Sequence, residues 1–270
     1  EFVKKTPLNR IQKIIATMKK IALLLVVLGT MCFDASAQHL DMTGGKEFNL
    51  FSSYAKSAHG VSLKIPAGFK VLEYETDRLW LPVTNCWLDG GQGITPFFRH
   101  SLVSADGNCM LFYPALDGCD MVVKDGRSEN DVYNDIAAAI NTATGVKLVV
   151  DDKTKPLLKQ MTVELSPAMA KRLFRADRML VASLPMGKPY HDTFTRCIGV
   201  YLYKSGFMPL YFKVLLTDAA KADAEKYIAA LSASVAYGTT APVKSLKQQA
   251  AEWDDYVKQV KLLESVAAKQ

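Results

Sequence analysis

The sequence predicts an α+β fold: an antiparallel sheet with helices packed against it as an α/β/α sandwich, and an added helix at the C-terminal end. Three observations carry that expectation. Cys197 to Tyr203 and Met208 to Leu216 are dense in β-branched and aromatic residues and flank Lys204-Ser205-Gly206-Phe207, the pattern of a β-hairpin. Directly after it, Thr217 and Asp218 cap a segment whose Ala220, Ala224, Tyr227, Ile228, Leu231 and Val235 form one apolar stripe. Lys221, Asp223, Glu225 and Lys226 occupy the opposite face. Upstream, short alternating segments broken by Pro and Gly repeat as strand signals.

The N-terminal stretch is an address rather than part of that fold. Met18 to Gln38 carries Lys19 and Lys20, an apolar run from Ile21, and Ala35-Ser36-Ala37 before Gln38. A cationic start, a short apolar core and a small-x-small site define a secretory signal peptide, with cleavage expected between Ala37 and Gln38. Ile21 to Phe33 falls short of the about 20 residues that span a bilayer, so no stable membrane anchor is expected. Met31 before Cys32 is not the small residue that lipoprotein processing needs, which argues against a lipid anchor. Residues 1–17 read as an upstream extension, with Met18 as the initiator. Residues 38–236 then form a single α+β domain, 237–242 a linker, and 243–270 a C-terminal helix.

Residues 1–37 hold six of the 33 basic and two of the 27 acidic residues, so the remainder carries a net charge of only about +2. Its Lys and Arg are interspersed with acids rather than gathered on a stripe, which excludes nucleic-acid binding as a working expectation. The composition is that of an ordinary globular protein.

Taken in order, residues 38–46 are polar and Phe48 to Tyr54 is ambiguous between helix and strand. Val61, Leu63 and Ile65 alternate with polar residues, Pro66-Ala67-Gly68 turns, and Phe69 and Val71 resume, giving a hairpin-like pair. Leu79 to Trp87 reads as a strand or a wide connection. The run Asp89-Gly90-Gly91-Gln92-Gly93 is a loop, because a strand rather than a helix follows it. Phe97 to Val103 and Cys109 to Tyr113 flank Asp106-Gly107, a hairpin signal. Ser128 caps a helix with Val132, Ile136 and Ile140 on one face, ending at Gly145, and Val146 to Val150 reads as a short strand. Ser166-Pro167 starts a short helix to Phe174, and Met179 to Leu184 is a strand. In the last helix, capped by Ser245, Leu246, Ala250, Trp253, Val257 and Val260 repeat at four-three spacing, a coiled-coil-like seam for packing on the domain or for a partner helix.

Two of these pieces resemble the PsbP/Mog1-type fold: the early VSLKIPAGFKV, and the closing hairpin YLYKSGFMPLYFKVLLTD with its helix AAKADAEKYIAALSASV. The resemblance covers about a third of the chain after the leader. It implies an antiparallel sheet between helices and a binding or accessory role. The leader ending Ala-Ser-Ala-Gln is similar to those of Bacteroidetes-type exported proteins.

Candidate chemistry is sparse. Beyond the leader the cysteines are Cys86, Cys109, Cys119 and Cys197, an even number that suits an oxidising compartment. Three pairings are open, and Cys109 with Cys119 is the closest in sequence. No C-x-x-C, H-E-x-x-H or G-x-S-x-G occurs, so no metal, cofactor or catalytic residue is nominated. The histidines are His39, His59, His100 and His191. His191-Asp192 is not a dyad, since neighbours on an extended chain point to opposite sides. Asp117, Asp120, Asp125, Asp151 and Asp152 fall in turns. Trp80, Trp87, Phe97, Phe98, Tyr201 and Tyr211 suit core packing or a ligand groove. The expected function is a non-enzymatic binding or accessory module of the periplasm or cell envelope, its partner an envelope protein or small ligand. The alternatives are a hydrolase of envelope or extracellular polymers, and an assembly protein that oligomerises through the last helix.

Overall fold

The computed structural model describes residues 45–72, 98–114, 116, 128–242 and 244–267. The leader, Ala37, Gln38, His39, Cys86, Cys119 and the segment 73–97 with its expected strand and Gly-rich loop lie outside the described residues, as do Asp117, Asp120 and Asp125.

The chain is α+β, and its described residues build a seven-stranded antiparallel sheet in the order β2-β3-β4-β8-β7-β6-β5. The strands are β2 (Phe69–Val71), β3 (Phe98–Ser104), β4 (Cys109–Pro114), β5 (Thr162–Glu164), β6 (Arg178–Leu184), β7 (Phe194–Tyr203) and β8 (Leu210–Thr217). Two meanders, β2-β3-β4 and β5-β6-β7-β8, abut where β4 pairs with β8. A second, two-stranded sheet joins β1 (Val61–Leu63) to β9 (Val235–Tyr237).

Both faces of the large sheet are buried, and period-two alternation sorts the side chains. On β8, Leu210, Phe212, Val214 and Leu216 enter one core with α1 (Lys46–His59), α4 (Pro167–Phe174), α5 (Ala224–Ser234) and α6 (Leu246–Ala267). Tyr211 and Leu215 enter the other, with α2 (Ser128–Thr144) and α3 (Lys155–Lys159). Among the described residues no helix is long and apolar enough to cross a membrane.

The Asp106-Gly107 hairpin forms as expected, Gly107 taking φ +69°. Burial acts to raise the Asp106 pKa, but hydrogen bonds from Ser104, the Asn108 N–H, Tyr227 and Lys226 outweigh it and hold the carboxyl at about 2. The hairpin tip is thereby tied to α5. Ser166 caps α4, accepting from the Met169 N–H at 3.3 Å. Ser245 and Gln248 make a reciprocal capping box at α6, with the Ser245 N–H donating to Gln248 Oε1 at 2.8 Å.

Several expectations are corrected. Val61–Leu63 and Phe69–Val71 are strands, but they do not pair with each other: β1 pairs with β9 and β2 with β3. The Lys64 N–H donates to Ser234 O, so the turn carries the chain from one sheet to the other. Val146 to Val150 is not a strand, because the Asn141 side chain takes both backbone groups of Leu148, at 2.6 and 3.0 Å. The linker is shorter than 237–242: Tyr237 ends β9, fully buried, and donates to Leu202 O and Met208 O. Val235 likewise belongs to β9 rather than to the preceding helix, which opens as a 3-10 turn over Ala219–Asp223. Phe48 to Tyr54 resolves as part of α1. Of the four cysteines, the described Cys109 and Cys197 are both free thiols, and Cys86 and Cys119 lie outside the described residues. Cys109 and Cys197 face opposite cores, so they cannot pair with each other across the sheet.

Candidate functional site

Helix α1 exists because Phe48, Phe51, Ala55 and Ala58 recur at three- and four-residue steps, all buried. Gly60 ends it in the left-handed region at φ +64°, its N–H closing on Ala55 O and Lys56 O. Helix α6 lies against it. Of the expected seam, Trp253 and Val257 are half-buried and Val260 is buried, whereas Ala250 faces solvent. Leu246 is placed in the helix without a described side chain. The anchor is Tyr256, which heptad spacing missed: it is 3% exposed and stacks on Tyr54 with ring centres 5.4 Å apart. Trp253 meets Tyr54 at 5.4 Å and Phe51 meets Tyr256 at 5.9 Å. Trp253, Val257 and Val260 are therefore engaged within the chain.

Above this aromatic layer α1 and α6 leave a groove of about 210 Å³. Leu50, Ser53, Tyr54 and Ser57 line one wall, and Glu252, Asp255, Tyr256 and Gln259 the other. That volume is below the ~300 Å³ at which small-molecule pockets begin, so it suits a side chain or a small polar group. Lys244 sits at its rim, paired with Glu252 Oε1 and donating to Ser57 Oγ at 3.0 Å. Glu252 Oε2 is buried with no hydrogen-bond partner among the described residues.

His59 stands behind the groove, 3% exposed. Its Nε2 is 2.9 Å from the Tyr54 hydroxyl and 3.1 Å from Leu116 O, and the Tyr54 hydroxyl donates to the same carbonyl at 2.5 Å. A neutral ring with the proton on Nε2 fits this set. Burial lowers its pKa to about 4, against the smaller upward pull of the Leu116 carbonyl. The unfolded chain takes up this proton near pH 6.5 and the folded chain only near 4. Stability is therefore full above pH 6.5 and falls as the pH drops towards 4, by about 3 kcal/mol. Urea titrations at pH 7 and pH 4.5 should show the loss, and His59→Gln should reduce that slope. An unchanged slope would contradict the assignment.

The other expected site residues do not converge on the groove. Burial pushes both thiols far above their usual pKa, with Asp106 adding to the effect at Cys109. His100 is buried between Phe48 and Phe51, ring centres 5.2 and 4.8 Å away. His191 and Asp192 are consecutive left-handed residues, φ 48° and 55°, in a tight turn bridged by Tyr190 and Phe194. Tyr190 packs on the α2 side of the sheet, opposite His100. Asp151 accepts from the Lys153 and Thr154 N–H groups in the turn that precedes α3, and Asp152 is exposed.

One constellation escaped sequence reasoning. Lys213 is fully buried on β8 and pairs with Asp135 of α2. The Tyr201 hydroxyl donates to Asp135 Oδ2 at 2.5 Å, and the Lys213 Nζ lies 5.3 Å above the Tyr201 ring. Tyr211, kept protonated by burial, donates to Asp131 Oδ2 at 2.8 Å. The legible signal was a lone lysine inside the otherwise apolar LYFKVLLT. Among the described residues no group of three His, Cys, Asp or Glu side chains is placed to hold a metal ion.

No protein-family model, curated protein or solved structure matches this chain.

Proposed function

We propose that the chain is an exported binding or accessory module of the cell envelope, with the α1–α6 groove as its recognition surface. The supporting observation is the groove itself: hydroxyl, carboxylate and amide groups over an aromatic floor, with no thiol or imidazole among its lining residues. Such a surface holds a partner's side chain or a small polar ligand. The leader from Met18 to Ala37 supports export. Helices on both faces of the antiparallel sheet support kinship with the PsbP/Mog1-type fold, while the split of β1 and β2 between two sheets departs from the hairpin on which the likeness partly rested. The hydrolase reading finds less support, since Cys109 and His100 stand on one side of the sheet and Cys197 and His191 on the other.

A photo-reactive side chain at Ser53, in the chain expressed with its leader, tests this. It should give a discrete adduct in the exported fraction, on a chain that starts at Gln38. The adduct should vanish with Ser57→Trp, which fills the groove, and should not form from a probe at exposed Asp152. Adducts that ignore the groove, or a chain that retains its leader, would overturn the proposal.

A further inference from the structure

β8 is the fourth of seven strands, and Lys213 lies at its middle with no exposed surface. Its partner Asp135, 78 positions away on α2, is 2% exposed at the side chain, and Tyr201 is 1% exposed. Two opposite charges so deep in a sheet core are held at a large desolvation penalty. A neutral product formed from the same atoms would remove it.

We propose that Lys213 and Asp135 are joined by an intramolecular isopeptide bond, a covalent link from the central strand to the helix above it. Burial penalises both charges while their contact favours them. The step starts from the neutral form of the pair, reached when the proton passes from ammonium to carboxylate and leaves a free amine beside a carboxylic acid. The Nζ lone pair attacks Cγ of Asp135. Charge gathers on the oxygen that faces the Tyr201 hydroxyl, which is already 2.5 Å away and stabilises it. The Cγ–OH bond breaks, the hydroxyl takes a proton from Nζ and leaves as water, and the Nζ–Cγ amide remains. Atoms and electrons balance without any co-reactant.

Three features favour this outcome over a persistent ion pair. The amine and carboxyl are fixed in contact by the fold, which corresponds to an effective molarity of roughly 10⁵–10⁸ M for well-oriented groups. The site is closed to the water that hydrolysis needs, with Lys213, Asp135, Tyr201 and Tyr211 all under 5% exposed. The Tyr201 hydroxyl is also deliberately placed. Gly199 faces Lys213 across the β7–β8 ladder, and a Cβ there would sit 2.3 Å from the Tyr201 hydroxyl oxygen. Only glycine lets that ring lie back along the strand towards Asp135.

Intact mass of the purified full chain, reduced and denatured, decides the matter. The mass should fall short of that calculated from the observed N-terminus by one water molecule. Tryptic digestion should yield a branched peptide carrying both Lys213 and Asp135. Lys213→Met should restore the calculated mass, and Tyr201→Phe or Gly199→Ala should leave a detectable unlinked fraction. A wild-type chain at its full calculated mass overturns the proposal, and so does a water deficit that persists in Lys213→Met. Neither readout depends on a variant that folds.

Discussion

Asp135→Ala should destabilise the fold by about 3–5 kcal/mol, because it leaves Lys213 as an uncompensated amine at the centre of the sheet. Tyr201 loses its acceptor in the same change. Urea unfolding followed by far-UV circular dichroism reads this as a lower midpoint at constant slope. Combining Asp135→Leu with Lys213→Met removes both polar groups and keeps the volume filled. That double variant should regain most of the loss. Whatever deficit persists measures the link itself, since closing a loop of this length restricts the unfolded chain. Asp135→Ala at wild-type stability would mean that the pair is not buried as described.

Phe51→Ala should cost about 3–5 kcal/mol as a large-to-small change in a closed core. Phe51 has no exposed surface and touches Phe48, Tyr54, His100 and Tyr256. The loss is expected to fall first on α6, whose Tyr256 rests on this ring. Amide hydrogen exchange should therefore rise across 253–260 before it rises in β7 and β8. The contrasting change, Leu262→Ala on the same helix, removes a side chain that is 67% exposed and should stay within about 0.5 kcal/mol. Equal effects from the two substitutions would contradict the packing of α6 on α1.

Much of the sheet was legible because its signals are local. Asp106-Gly107 turns on itself, the β7–β8 hairpin needs only its own alternation, and Ser166 caps a helix three residues away. What was illegible depended on partners far along the chain. β1 finds β9 far along the chain, Val61 opposite Tyr237 and Leu63 opposite Val235, so nothing within VSLKIPAGFKV shows that its two strands part company. Val146 to Val150 has strand composition, yet Asn141 supplies the hydrogen bonds that a neighbouring strand would. The groove was half visible: Trp253, Val257 and Val260 gave the right helix. The straight heptad missed Tyr256, because a helix packed on a globular domain turns its own face to the contact. The Lys213 pair was written in the residues but not in any spacing, since β8 and α2 meet only in three dimensions.

The contact between α1 and α6 also sets a timetable. Glu47 and Tyr256, which meet across it, are 209 positions apart. At the roughly 5–20 residues per second of protein synthesis, α1 emerges some 10–40 s before the helix that covers it. Throughout that interval Phe51 and Tyr54 have no α6 to cover them. The nascent chain thus displays an aromatic surface that only its completion can hide, and it is during that interval that a holding chaperone has something to grip.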